Sequence, residues 1–274
     1  MTDMTRETTT RPRPWSALTR PRTTGQAFTA GLAVLAGTLA ITVVGGLLTK
    51  LFMREASGML RALVVVAVLT VVAVAVRPHY GSWRDLGVTP WTPSSGSGLL
   101  LVALSLAVSP LAFGVQTLEP KVWLLLLAGY LLTGFTEELV WRGMAWRVLT
   151  LLGPARGPLV GSALFGLAHL GNVLYRDSVV LVAAQVWGAF CFGLGYAALR
   201  RRTGTIVPLM GLHLLTDLCA AVSSGPSLAL LVGQDVVLLT LGVVLLARDS
   251  RSARRLGDGG PLPQRRGSTA TNLG

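Results

Sequence analysis

The sequence predicts an all-α fold, a polytopic membrane helix bundle of about eight transmembrane helices. Three observations predict it. The 274 residues are 51% hydrophobic and 13% charged, with a mean hydropathy of +0.61, whereas a soluble domain carries about a quarter charged residues. The charges gather at the two ends and in short breaks, and the runs between them approach the ~20 apolar residues that cross a bilayer as a helix. When those runs are threaded alternately through a membrane, 19 of the 24 lysines and arginines fall on one side, the bias that marks cytoplasmic segments.

Residues 1–27 are rich in Thr, Arg and Pro and are expected to form a disordered basic cytoplasmic tail. The first apolar run, 28–49, is longer than the ~7–15 residues of a signal-peptide core, so it reads as a retained anchor. Further spans follow at 58–76, 98–117, 122–141, 158–174, 178–199, 205–222 and 227–247, of which the second and fifth are short. Gly87 to Gly98, with Pro90 and Pro93, is a turn-rich connector. Trp83 and Trp91 there suit a membrane interface. Residues 248–274 form a second basic tail, also expected to be disordered. Residues 28–120 are thus N-terminal helices, 121–222 the central helices and 223–247 the last helix.

The net charge of +12 raises a nucleic-acid reading, which the positions of the charges reject. Basic residues flank the apolar spans, so the expected partner is a lipid bilayer and not a nucleic acid. An even number of spans puts both termini in the cytoplasm of a cell-membrane protein and leaves Lys50, Arg54, Arg61, Lys121 and Arg176 outside. Cys191 and Cys219 lie in apolar runs without CxxC spacing and read as small hydrophobes.

An ionisable group at bilayer depth costs about 2.5–3.5 kcal/mol on insertion scales, so it usually has a task or a partner. Glu137 and Glu138 fall about 24 Å along the fourth span, at ~1.5 Å per residue from Lys121. Glu138 and Arg142 are four residues apart and share a helix face, where they can pair. Glu137 is rotated from that face by about 100° and is free to point elsewhere. In the fifth span, Phe165 and His169 are four apart; in the seventh, His213 and Asp217 are. The third histidine, His79, is expected in a loop, and Asp235 is expected to mark the outer end of the last helix, with no chemical role. Taken singly, each pair has a plain reading as a solvated helix end or a packing contact. Taken together, a shared polar site among helices four, five and seven accounts for Glu137, His169, His213 and Asp217 at once. A carboxylate to activate water and imidazoles to hold water, or a metal, suit hydrolysis. Two histidines and a carboxylate are also an ordinary catalytic zinc set, in which His169 and His213 are the ligands if zinc is bound. The sequence lacks HExxH and is no soluble zincin.

These motifs resemble the CAAX prenyl protease and bacteriocin-processing family, also called CPBP or Abi. They read Glu137-Glu138-x-x-x-Arg142, then Phe165-x-x-x-His169, then His213-x-x-x-Asp217, and the resemblance covers about residues 122–222. It implies an eight-helix intramembrane peptidase whose site opens toward the cytosol, acting on a peptide or membrane-protein substrate. It makes Glu137 the residue that activates water and His169 the one that helps hold it. His213 is implied to stabilise an oxyanion or bind metal, and Glu138 with Arg142 to be the supporting pair. Asp217 stands where the family has Asn or Asp. An ionised Asp cannot donate to an oxyanion, so it is expected to orient His213 or to ligate metal. Zinc remains an open cofactor. Two rival readings are a membrane transporter and a catalytically silent scaffold of the same fold. A transporter favours internal repeats, and none is visible here.

Overall fold

The structure, a computed structural model, describes residues 16–93, 96–176, 178–225 and 227–257. The two expected tails therefore lie mostly outside the described residues. After a single helical turn at Ser16–Thr19, eight helices follow among the described residues. They are α1 (Thr24–Phe52), α2 (Gly58–Tyr80), α3 (Ser97–Val108), α4 (Pro120–Glu137), α5 (Arg156–Ala168), α6 (Val179–Thr203), α7 (Val207–Val222) and α8 (Leu228–Gly257). Short 3₁₀ segments prolong α3 to Phe113 and α5 to Leu174. Helix α4 does not stop at Glu137. It widens into a π-helical segment, Glu138–Ala145, and runs on to Leu152. Among the described residues there is no strand, and one isolated bridge joins Val115 to Ser223.

Among the described residues, six helices are long and apolar enough to cross a membrane, and Ser97–Phe113 and Val207–Val222 are shorter. The short spans are thus the third and seventh rather than the second and fifth. Helix α2 continues through Pro78 to Tyr80, and α5 starts at Arg156 and gains its 3₁₀ extension. His79 consequently sits in the last turn of α2 instead of a loop. Helix α8 runs ten residues past the expected end at 247.

Helix starts follow from local chemistry. The hydroxyls of Thr23, Ser57 and Ser178 accept from the backbone N–H of Gln26, Leu60 and Leu181, each satisfying a donor that the first turn leaves open. Gly204, at φ 72°, closes α6 in the left-handed conformation, with its N–H on the Arg200 carbonyl.

Helix α6 packs between α5 and α8, α4 packs between α2 and α7, α1 lies on α2, and α3 lies on α7. Lipid offers helices no hydrophobic drive to associate, so close backbone approach through small residues carries more of the packing. A Cβ on Gly134 would lie 2.8 Å from the Met210 carbonyl oxygen of α7, and one on Gly166 would lie 2.8 Å from the Val186 carbonyl oxygen of α6. A 2.6 Å contact between the hydroxyls of Thr70 and Thr136 ties α2 to α4. Outward positions such as Val71, Leu124, Leu131 and Val180 are exposed, while Leu139, Trp141, Val148 and Phe165 form the core around the π segment.

At the arginine-rich end, the connector after α2 is folded in and not loose. Leu86 is fully buried, the Gly87 carbonyl accepts from the Ile206 N–H at 2.9 Å, and Asp85 pairs with Arg147 at 3.3 Å. The backbone and hydroxyl of Ser82, then Arg147, hold the Asp85 carboxyl below its ordinary range.

Candidate active site

The site is built where α4 becomes π-helical. A π segment widens the turn and turns its side chains away from the register an α-helix would give, which is why such segments recur at functional sites. All eight residues of Glu138–Ala145 are buried. Glycine 134, one turn earlier, lets α7 approach closely enough to bring His213 over the two glutamates.

Glu138 is fully buried and bonded twice through one oxygen. Its Oε1 accepts from Arg142 Nη1 at 2.9 Å and contacts His213 Nδ1 at 2.9 Å. The carboxylate can only accept, so Nδ1 carries the hydrogen and Nε2 is the nitrogen turned into the site. The sequence anticipated the Glu138–Arg142 pair but not its link to His213. The Arg142 guanidinium is further boxed by aromatic faces, 4.5 Å from Phe165, 5.5 Å from Phe192 and 5.6 Å from Tyr196, contacts that favour a cation held away from water.

Around His213 Nε2 lie Glu137 Oε2 at 3.5 Å and Asp217 Oδ2 at 3.7 Å. Glu137 and Asp217 keep 22% and 31% of their side-chain surface accessible, against none for Glu138. Adjacent glutamates thus have different surroundings, one sealed in a network and one open to the cleft. The group that fixes the His213 ring is Glu138, not Asp217 as the motif implied, because Glu138 reaches Nδ1 while Asp217 approaches the opposite nitrogen.

His169 opens the 3₁₀ segment after α5. Its Nδ1 is 2.9 Å from the Phe165 carbonyl oxygen; that oxygen only accepts, so Nδ1 donates and Nε2 keeps a lone pair. The Phe165 ring stands edge-on to both histidines, with centroids 4.9 Å from His169 and 6.5 Å from His213, and spaces them.

Glu137, His169, His213 and Asp217 all line one cleft of about 660 Å³. The same cleft presents Tyr130, Asn172 and Gln185, which sequence reasoning missed. Asn172 donates to Gln185 at 2.9 Å, and the only sequence signal was that both are polar residues within or beside apolar runs. The cleft reaches exposed Ala62 and Arg176, at the end of the bundle away from the arginine-rich segments. If both termini are cytoplasmic, that runs against the cytosolic opening implied by the motifs.

A second cavity, of about 190 Å³, shares His169, Gln185, His213 and Asp217 with the cleft and reaches Gln234 and Asp235. Asp235 therefore does not mark a helix end. It lies two turns inside α8, which begins at Leu228.

The donor set does not fit zinc. Among the described residues, no group of three or more His, Cys, Asp or Glu is arranged to hold a metal ion.

Residues 119–219 match the family model described as type II CAAX prenyl endopeptidase Rce1-like. This is the family that the three motifs resemble, and the match spans all of them. It supports an intramembrane endopeptidase of the CAAX protease type. No curated protein and no solved structure matches the chain.

Proposed function

We propose that this chain is an endopeptidase that cleaves a peptide or membrane-associated protein with water activated by Glu137. The observation that carries the reading is the convergence of Glu137, His169, His213 and Asp217 on one cleft from three separate helices. A water in that cleft can donate to Glu137 Oε2 and to the lone pair of His169 Nε2. Glu137 takes its proton as the oxygen attacks the scissile carbonyl. The oxyanion that forms needs a donor aimed at it. His213 Nε2 is so aimed, since Glu138 holds the other side of the ring; the imidazolium form, with a hydrogen on both nitrogens before the reaction starts, donates from Nε2 to the oxyanion and keeps that proton throughout. Glu137 then passes the proton to the leaving amine as the C–N bond breaks. Asp217 bounds the site beside Nε2. No step runs through a metal.

The test is cleavage of a mixed peptide library by the full chain in reconstituted bilayers. Glu137→Gln should lower cleavage by ~10²–10⁴, the ordinary size of a general-base effect, with the fold retained. Cleavage that survives Glu137→Gln unchanged would reject the assignment, and a folded wild-type chain that leaves the whole library intact would be a silent scaffold.

A further inference from the structure

Asp235 is the acidic residue of the second cavity that the proposed chemistry does not use. It projects from α8 toward α6, where a Cβ on Gly188 would meet its Oδ1 at 3.4 Å. Among the described residues it makes no hydrogen bond and no ion pair. Its neighbour Gln234 is engaged differently, donating to the Leu106 carbonyl at 2.8 Å and contacting the Ser109 hydroxyl at 3.0 Å, which fastens α8 to α3. A carboxylate at this depth without a partner is costly, and such residues face a bundle interior or a cavity where something meets them.

Among the described residues no lysine or arginine lines this cavity, and neither of its histidines bonds Asp235. The cavity has room for one long side chain; pockets for whole drug-sized ligands run to ~300–1,000 Å³. Its lining includes the apolar side chains of Leu106, Phe192 and Leu238, and it shares His213 and Asp217 with the cleft. A side chain entering it would belong to a substrate residue at or next to the scissile bond. A carboxylate only accepts hydrogen bonds, and a lysine or arginine combines a donor head with a hydrocarbon stem that packs on apolar walls.

We propose that this cavity is a specificity pocket in which Asp235 receives the lysine or arginine side chain of a substrate residue beside the cleaved bond. The inference rests on the peptidase reading of the cleft, but its test does not require turnover. The probes are hexapeptides in an alanine–leucine background with arginine placed at each position in turn, each paired with a citrulline version of nearly equal shape and no charge. Binding is measured to the full-length Glu137→Gln chain in bilayer nanodiscs. At one or two adjacent positions, arginine should bind about tenfold or more tighter than citrulline, the size of a charge-assisted hydrogen bond. Asp235→Asn, nearly isosteric, should abolish that preference while leaving the citrulline peptides unaffected. No preference for arginine at any position, or a preference that persists in folded Asp235→Asn, overturns the pocket. If arginine is preferred through Asp235 but the wild-type chain cleaves none of these peptides, the pocket stands and the peptidase reading fails.

Discussion

Glu137 and Glu138 are neighbours in sequence and face different surroundings, because a helix turns by about 100° per residue. Glu138 is sealed between Arg142 and His213. Replacing it with glutamine leaves the Arg142 charge buried without its counter-ion, a loss of about 3–5 kcal/mol when a buried pair is broken from one side. Glu138→Gln should therefore show a clear fall in thermal unfolding temperature, while Glu137→Gln keeps the wild-type temperature and loses only cleavage. Equal melting behaviour of the two variants would contradict the division. The donor set also predicts the effect of metal removal. A strong chelator should leave cleavage unchanged, because among the described residues no three-ligand group is in place. Loss of activity on chelation, restored by zinc, would overturn the metal-free mechanism. Asp217 stands 3.7 Å from His213 Nε2 without holding the ring's other nitrogen, so Asp217→Asn should retain activity within about tenfold.

At the scale of elements, the site depends on how closely α4 and α7 approach. Gly134→Ala would set a methyl 2.8 Å from the Met210 carbonyl and 3.1 Å from the Leu214 nitrogen. These are backbone atoms that cannot swing aside, so the helices must separate. Overpacking of this kind costs about 1–3 kcal/mol. The separation falls on the 2.9 Å contact between Glu138 and His213, so cleavage should drop along with the melting temperature. Gly129→Ala on the same helix meets nothing within 4 Å and serves as the matched control, expected to leave both readouts intact. If the two alanine variants behave alike, the close approach does not hold the site together.

At the scale of the whole molecule, the distribution of arginine and the direction of the cleft bear on each other. In an eight-span threading of the sequence, nineteen of the 24 basic residues fall on the side of both termini, which predicts that a reporter active only outside the cell stays silent when fused to the C-terminus. The cleft mouth, at Arg176, belongs to the opposite end. A cysteine placed there by Arg176→Cys should react with a membrane-impermeant maleimide added outside intact cells. The background should be low, because Cys191 and Cys219 are buried. Labelling only after the membrane is opened would place the mouth in the cytosol and reverse the orientation.

The sequence by itself determined that this is a polytopic helical bundle and which ionisable residues stand within its apolar runs. Both follow from one property of the bilayer: ionisable groups are excluded from lipid, so Glu137, Glu138, Arg142, His169, His213 and Asp217 stood out against apolar runs, and the four-residue spacing showed which of them share a helix face. The lengths of individual helices were less legible, since apolar content does not record where backbone geometry changes; α2 passing Pro78 and α4 running on as a π-helix are examples. Relations between helices were not in the sequence pattern at all. That Glu138 and not Asp217 holds His213, that Asn172 and Gln185 join the cleft, and that Asp235 faces a cavity rather than the bundle's end all depend on which helices touch and at what rotation. Periodicity specifies a face of one helix, whereas the partner of that face is fixed only when glycines such as Gly134 and Gly166 let particular backbones meet.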